Sequence, residues 1–389
     1  VSREQGPPTE RTTHRVVAGD ARELALPDDS VELVVTSPPY PMIDVWDETF
    51  AALEPAVGEA LSAGDGDEAF ERMHDVLADV WAEVARVLVP GGIACVNVGD
   101  ATRSIDGRFG LYPNHAAVIE RCRAVGLSPL PDVLWRKPGN SAAKFMGSGM
   151  LPPNAYVTLE HEYVLVLRNG GTRQPPSERR RRSAFFWEER NEWFSDVWTD
   201  LQGRDQALDS AVRERSAAFP FEMPYRLVNM YSVQGETVLD PFWGTGTTTL
   251  AAMASARSSV GYELEAELVA DLADDLPAQA RALAAARHRE RLARHREFVR
   301  ERRAEGSEPG YRSVAYEFPV MTKQERRLVL PSIEAVRRVD EGGDGDDGSS
   351  GDEGDHSQGG DHGQDGDHGR NGEGARFVVE HGRYGVEDE

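Results

Sequence analysis

The chain has 389 residues, 39% of them hydrophobic, with 67 acidic against 43 basic residues and a net charge of −24. This is enough apolar material for one large core or two modest ones, and no stretch approaches the roughly 20 apolar residues of a membrane span. Residues 1–15 are polar and lack a signal-peptide core, so a soluble, cytoplasmic protein is expected.

Two cysteines, Cys95 and Cys122, fall in a predicted strand and a predicted helix. That suits a reducing compartment and excludes a cysteine-built zinc site. Neither follows a proline or lies near a histidine cluster, so no cysteine nucleophile is expected. The basic side is almost all arginine, with lysine only at Lys137, Lys144 and Lys323. Abundant Asp and Glu with scarce Lys is the surface balance of salt-saturated cytoplasm, which points to a halophilic host. Acidity of that origin says little against a nucleic-acid partner, and local basic patches matter more than the sum.

His14 to Gly19 reads as a first strand ending in Gly19-Asp20, followed by a turn at Pro27 to Ser30 and a second strand, Val31 to Val35. The second strand is a short apolar run bounded by proline, as in a buried parallel strand. The residues after it, Thr36-Ser37-Pro38-Pro39-Tyr40, therefore lie at a strand's carboxyl end, where open α/β sheets place ligands. The Ser37 hydroxyl and the Pro38 carbonyl can hold an amino group by both its hydrogens, while Tyr40 offers an aromatic face to the ring that carries it. A proline-rich loop read by a proline-recognition domain is the plainer alternative.

From Asp67 to Leu88, Phe70, Met73, Leu77, Val80, Trp81, Val84 and Val87 recur at helical spacing. Pro90-Gly91-Gly92 is expected to end that helix before a strand at Ile93 to Val98. A helix from Pro113 to Gly126 and strands at Asp132 to Trp135 and Tyr163 to Leu167 follow. Strand alternating with helix implies a parallel sheet with helices on both faces.

Between Lys137 and Ala218 the pattern lapses. The run Arg179-Arg180-Arg181-Arg182 is followed by Phe185, Phe186, Trp187, Trp193, Phe194 and Trp198. Arginines interleaved with aromatics suit phosphate contacts and base stacking, and a charge run beside a small aromatic core gives the same pattern. Regular structure returns with a helix at Pro224 to Tyr231, a strand at Thr237 to Leu239, a helix through Leu250 and a strand at Ser259 to Tyr262. Glu265 to Glu305 is helical and arginine-rich with a break at Pro277, and its charge is expected to form a solvated face. Residues 340–389 hold 16 acidic and 3 basic residues and should be disordered. Their His356, His362 and His368 fit low-complexity drift better than a metal site.

Asp240-Pro241-Phe242-Trp243-Gly244-Thr245-Gly246-Thr247 is a strand-to-helix turn whose glycines let backbone N–H groups approach a ligand. It lacks the lysine of a phosphate-binding P-loop. After the next strand, Glu263 in Gly261-Tyr262-Glu263 stands where a carboxylate accepts both ribose hydroxyls in nucleoside-binding α/β folds.

Taken in order, Gly19-Asp20, Thr36 to Tyr40, Pro90-Gly91-Gly92, Ala217-Ala218-Phe219-Pro220, Asp240 to Thr247 and Gly261-Tyr262-Glu263 resemble the amino-group DNA methyltransferases that use S-adenosylmethionine. Within that family the chain resembles the permuted arrangement, with the catalytic half ahead of the cofactor loop, and its charge is haloarchaeal-like. The resemblance covers most of the chain up to Asp271. It implies a Rossmann-like, doubly wound, mostly parallel seven-stranded sheet. Residues 1–136 would form the catalytic half, 137–218 a target-recognition insert with a returning sheet strand at 162–168, 219–335 the cofactor half with a basic helix, and 336–389 a disordered acidic tail.

By the same resemblance Asp240, Gly244, Gly246 and Thr247 hold the methionine end of S-adenosylmethionine, with Phe242 also among the cofactor-binding residues. Glu263 takes the ribose and Asp20 the adenine amino group, Phe219 and Pro220 close the pocket, and Trp243 has no assigned role. Ser37, Pro38, Pro39 and Tyr40 are the catalytic residues, and Arg179, Arg180, Arg181 and Arg182 contact DNA. The expected partner is double-stranded DNA with the target base flipped out, and a cognate restriction endonuclease is compatible with this. A serine heading the motif favours N4 of cytosine over N6 of adenine. An RNA or protein methyltransferase usually has the opposite loop order, and a catalytically idle DNA-binding regulator need not keep both loops.

Overall fold

A computed structural model describes residues 10–137, 146–201, 219–339 and 372–385. Its centre is one sheet of eleven strands. Along the main path the order is Val197–Trp198, Val133–Arg136, His161–Asn169, Leu88–Val98, Val31–Thr36, Thr237–Asp240, Ser258–Glu263, Glu10–Ala18, Gly372–Arg383 and Pro331–Arg338. Leu127–Pro129 pairs beside His161–Asn169.

The five strands from Leu88–Val98 to Glu10–Ala18 are mutually parallel. Both flanks depart from the expected parallel pattern: His161–Asn169 runs antiparallel to its neighbours on either side, as does Gly372–Arg383. The doubly wound α/β class holds, with eleven strands rather than seven.

Local sequence explains the central elements. The helix Gly66–Val87 is capped by the Asp65 carboxylate, which accepts from Glu68 N at 3.0 Å, and it buries Phe70, Met73, Leu77, Val80, Trp81 and Val84 against the sheet. Pro90-Gly91-Gly92 lies inside the strand Leu88–Val98 instead of before it. Gly91 has φ of +82°, and a Cβ there would meet Arg173 N at 2.6 Å.

Two expectations for the C-terminal half are corrected. The arginine-rich region is the helix Ala266–Leu272, a short 3-10 turn at Ala273–Asp275 and the helix Leu276–Ala304. Its charge is not merely a solvated face, since Arg287, His288, Arg291 and His295 are buried. Arg291 donates to Glu189 Oε2 at 2.8 Å and to Tyr225 OH at 2.9 Å, which replaces the hydration lost on burial. The acidic tail is also not disordered throughout, because Gly372–Arg383 forms a sheet strand that buries Ala375, Phe377, Val379 and His381. His356, His362 and His368 lie outside the described residues. Among the described residues, no helix is long and apolar enough to cross a membrane.

Candidate active site

The two motif loops meet because their strands are neighbours. Val31–Thr36 pairs with Thr237–Asp240, with Leu33 opposite Val238, so Thr36 and Asp240 end side by side although 204 residues separate them. Thr36 Oγ1 donates to Asp240 Oδ1 at 2.6 Å, and Phe242 N donates to the same oxygen at 3.2 Å. Burial pushes the Asp240 carboxyl up to about 6, against the pull of hydrogen bonds from Thr36, Thr248 and the Phe242 amide.

A pocket opens over these strand ends. Its rim comes from Gly19 to Arg22, Ser37 to Pro39, Phe219, Asp240 to Thr245 with Thr247, and Tyr262 to Glu265. One wall is apolar: Trp46, Phe50 and Leu53 from the segment after Tyr40, and Val76, Leu77 and Val80 from the long helix.

Glu263 Oε2 accepts from Gly244 N at 2.8 Å and Oε1 from Glu265 N at 3.0 Å. Each oxygen keeps a lone pair for a further donor, the arrangement a diol requires. Burial raises the Glu263 pKa. Asp20 is gripped by its neighbour: Arg22 Nε reaches both oxygens, at 3.1 and 3.0 Å, and Nη2 reaches Oδ2 at 2.7 Å. Against the upward push of burial, these bonds pull the Asp20 carboxyl below its ordinary value.

Gly244 and Gly246 both take left-handed backbone, φ +53° and +73°. Gly246 does not line the pocket. A Cβ on it would lie 2.8 Å from Cζ2 of Trp243. Trp243 is the anchor of the loop: it is buried, its Nε1 donates to Thr249 Oγ1 at 3.1 Å, and a Cβ at Gly261 would stand 2.2 Å from its Cδ1.

Beside the pocket, Tyr40 is only 7% exposed and lies beneath the loop, so its ring offers a base little of its face. Its hydroxyl receives Ser37 Oγ at 3.1 Å and Asn97 Nδ2 at 2.8 Å and lies 3.0 Å from Glu162 Oε2. Burial, then the Glu162 carboxylate, raises the Tyr40 pKa well above its ordinary value, so the phenol is neutral. Asn114 steadies the loop by donating to Pro41 O at 3.1 Å and Gly99 O at 2.9 Å.

Of the residues singled out from sequence, Asp20, Ser37, Pro38, Pro39, Phe219, Asp240, Phe242, Gly244, Thr247 and Glu263 share this one pocket. Pro220 lies on a neighbouring groove with Asp200 and Arg226, and Ala217 and Ala218 fall outside the described residues. The arginine run stands elsewhere. It forms the helix Ser177–Arg182, whose Arg179 and Arg182 approach Glu10 at 3.6 and 3.5 Å. Glu10 begins the strand that ends beside Gly19, so the run is at the amino edge of the parallel strands, about 27 Å of strand from the pocket. Phe186, Trp193 and Trp198 are buried core and do not stack on bases.

Sequence reasoning missed Trp46, Phe50 and Leu53, although their spacing is that of one helical face. It also missed Arg22, Asn97 and Glu162, which no motif marks. Cys95 and Cys122 are buried, and burial pushes the Cys122 thiol up to about 12 and Cys95 higher still, so neither supplies a thiolate.

A cofactor with a cationic amino-acid end, a ribose diol and a flat purine fits this donor set: a buried carboxylate at Asp240, a half-satisfied one at Glu263 and the apolar wall. Comparison with known proteins agrees. The DNA methylase family model N6_N4_Mtase matches residues 31–274. The chain is 48% identical over 327 residues, 82% of its length and 90% of the relative's, to the type II methyltransferase M.MthZI of Methanothermobacter thermautotrophicus. It is 48% identical over 271 residues, 66% of this chain and 89% of the relative, to the type II methyltransferase M.MjaI of Methanocaldococcus jannaschii. The structure of TTHA0409 from Thermus thermophilus, complexed with S-adenosyl-L-methionine, superimposes with a TM-score of 0.54 and 35% identity, covering 69% of this chain and 94% of that one. The chain belongs to the N6_N4_Mtase family of DNA methylases and is an S-adenosylmethionine-dependent DNA methyltransferase.

Proposed function

We propose that the enzyme methylates the exocyclic N4 amine of cytosine at a specific site in duplex DNA, with the target base flipped out of the helix. The observation that carries this reading is Ser37 on the pocket rim, at the head of the Pro-Pro-Tyr turn and beside the loop that begins at Asp240. S-adenosylmethionine supplies an electrophilic methyl on a sulfonium that leaves readily. The chain's own residues orient the amine: Ser37 Oγ and the Pro38 carbonyl accept its two hydrogens, which turns the nitrogen lone pair toward the pocket. Holding that lone pair in line is the main catalytic contribution: the methylated amine is cationic and acidic, so one of its two hydrogens leaves as a proton to solvent without a strong base.

Asp240 and Thr247 then bind the methionine end, Glu263 the ribose and Asp20 the adenine edge, against Trp46, Phe50 and Phe242. The order of the two loops supports the permuted arrangement within the family. Residues 137–218 are the proposed target-recognition region. The acidic, lysine-poor composition supports a salt-adapted host, the DNA methyltransferase relatives a cytoplasmic enzyme, and their type II class a cognate restriction endonuclease as partner.

Single-molecule sequencing of DNA from a host expressing the chain, against the same host without it, tests the reading. N4-methylcytosine at one short sequence is the expected result. N6-methyladenine would overturn the base assignment.

A further inference from the structure

We infer that Glu162, held by Lys137 and Asn97, is a positioning residue that fixes Ser37 as a hydrogen-bond acceptor. This rests on the reading of Ser37 as the residue that grips the target amine.

The argument is one of counting hydrogens. The Glu162 carboxylate forms an ion pair with Lys137 Nζ through Oε1 and accepts from Asn97 Nδ2 through Oε2 at 2.8 Å. An ionised carboxylate can only accept, so the single hydrogen of the Tyr40 hydroxyl, 3.0 Å from Oε2, goes to Glu162. The Tyr40 oxygen must then accept from its other neighbours. One is Asn97 Nδ2 at 2.8 Å, and the Asn97 amide cannot turn over without setting its oxygen against the carboxylate. The other is Ser37 Oγ at 3.1 Å. The hydrogen of Ser37 is thus committed inward, and what its oxygen presents to the pocket is lone pairs.

Without that polarity the chain of bonds can run the other way. Tyr40 would donate to Ser37, and the serine hydrogen would be free to point at the target nitrogen. A donor there would engage the lone pair that has to attack the methyl. Glu162 reaches no atom of the pocket itself and acts only through Tyr40. Gly99 makes the meeting possible: a Cβ on it would stand 3.1 Å from both Tyr40 Cε2 and Glu162 Cγ.

The test is a double-mutant cycle on methyl transfer to cognate DNA under single-turnover conditions, with cofactor affinity measured alongside. Glu162→Gln and Tyr40→Phe are each expected to slow transfer by roughly 10- to 100-fold while cofactor affinity changes less than about twofold. The double variant is expected to be no slower than Tyr40→Phe alone, because Glu162 has no other route to Ser37. Multiplying losses in the double variant, or a near wild-type rate for Glu162→Gln, would overturn the inference. If Glu162→Gln does not fold, Tyr40→Phe decides alone, since it keeps the ring and removes only the relay, and a wild-type rate there refutes it. The wild-type enzyme run in parallel keeps the two readings apart. Transfer to adenine would change the base and leave the test standing, since that amine presents the same hydrogens and lone pair, whereas no transfer at all would defeat the reading of the site and this inference with it.

Discussion

Thr36 and Asp240 tie the strand before the Ser-Pro-Pro-Tyr loop to the strand before the glycine loop through a 2.6 Å hydrogen bond between buried side chains. Folded Asp240 keeps its proton up to about pH 6, whereas an unfolded aspartate releases it near about 3.9. The folded state therefore binds more protons between those values, and stability falls as pH rises through them. The ligand-free enzyme should lose about 3 kcal/mol from this group between about pH 4 and 6 relative to Asp240→Asn. Affinity for the cationic cofactor should rise over the same window and level off above it. Thermal melts and titration calorimetry of both proteins check this, and a parallel pH dependence in the variant would remove Asp240 as the cause.

Glu263 shapes its loop as well as facing the pocket, because its oxygens hold Gly244 N and Glu265 N. Glu263→Gln keeps one acceptor and loses the other. Cofactor binding should weaken by about 10- to 100-fold, equivalent to about 1.4–3 kcal/mol. Unchanged affinity by calorimetry would assign the ribose to another residue.

Trp243 and Gly261 are complementary shapes. Trp243→Ala should cost about 3–5 kcal/mol through the cavity it leaves. Gly261→Ala should also destabilise, since the new methyl would overlap the indole. Combining Gly261→Ala with Trp243→Leu should recover part of the loss. Additive losses in denaturant melts would show that the two sites do not share one space.

The strand Gly372–Arg383 carries His381, whose Nε2 lies 2.8 Å from Thr12 Oγ1, and His14 Nε2 approaches the same hydroxyl at 2.9 Å. Burial pushes the His14 pKa down to about 3 and that of His381 to about 4. Both are neutral when folded, so their contribution is present above about pH 6.5 and is lost as pH falls toward 4. Truncation at residue 371 should destabilise the sheet and expose Phe377's partners. A truncated protein with an unchanged melting temperature would make the strand dispensable.

If the −24 charge is a salt adaptation, the melting temperature should climb as KCl rises from about 0.1 to about 3 M, beyond the point where simple screening saturates. A flat or falling curve would sink that reading.

Much of the centre of this enzyme was legible from the chain. Val31 to Val35 and Thr237 to Leu239 are short apolar runs that end in chemically loaded loops, and buried parallel strands have few other signatures. The flanks were harder. Whether Tyr163 to Leu167 runs parallel or antiparallel depends on its partners, which local pattern does not encode. The last strand was hidden by averaging: Ala375, Phe377 and Val379 alternate as a half-buried strand should, yet they follow a long acidic, glycine-rich stretch whose composition dominated. The aromatics after Arg182 look the same to composition whether they face DNA or pack inward, and only burial, as at Phe186, Trp193 and Trp198, decides. Glu162 was invisible because its role depends on a strand and a loop 122 residues apart.

The pairing of Glu10–Ala18 with Gly372–Arg383 also sets an order in time. The strand that leads into Gly19 and Asp20 is translated some 370 residues before its antiparallel neighbour. Until then that edge of the sheet has one partner at most. A nascent chain therefore carries the Ser37 to Tyr40 loop well before the sheet edge beside Gly19 and Asp20 is covered.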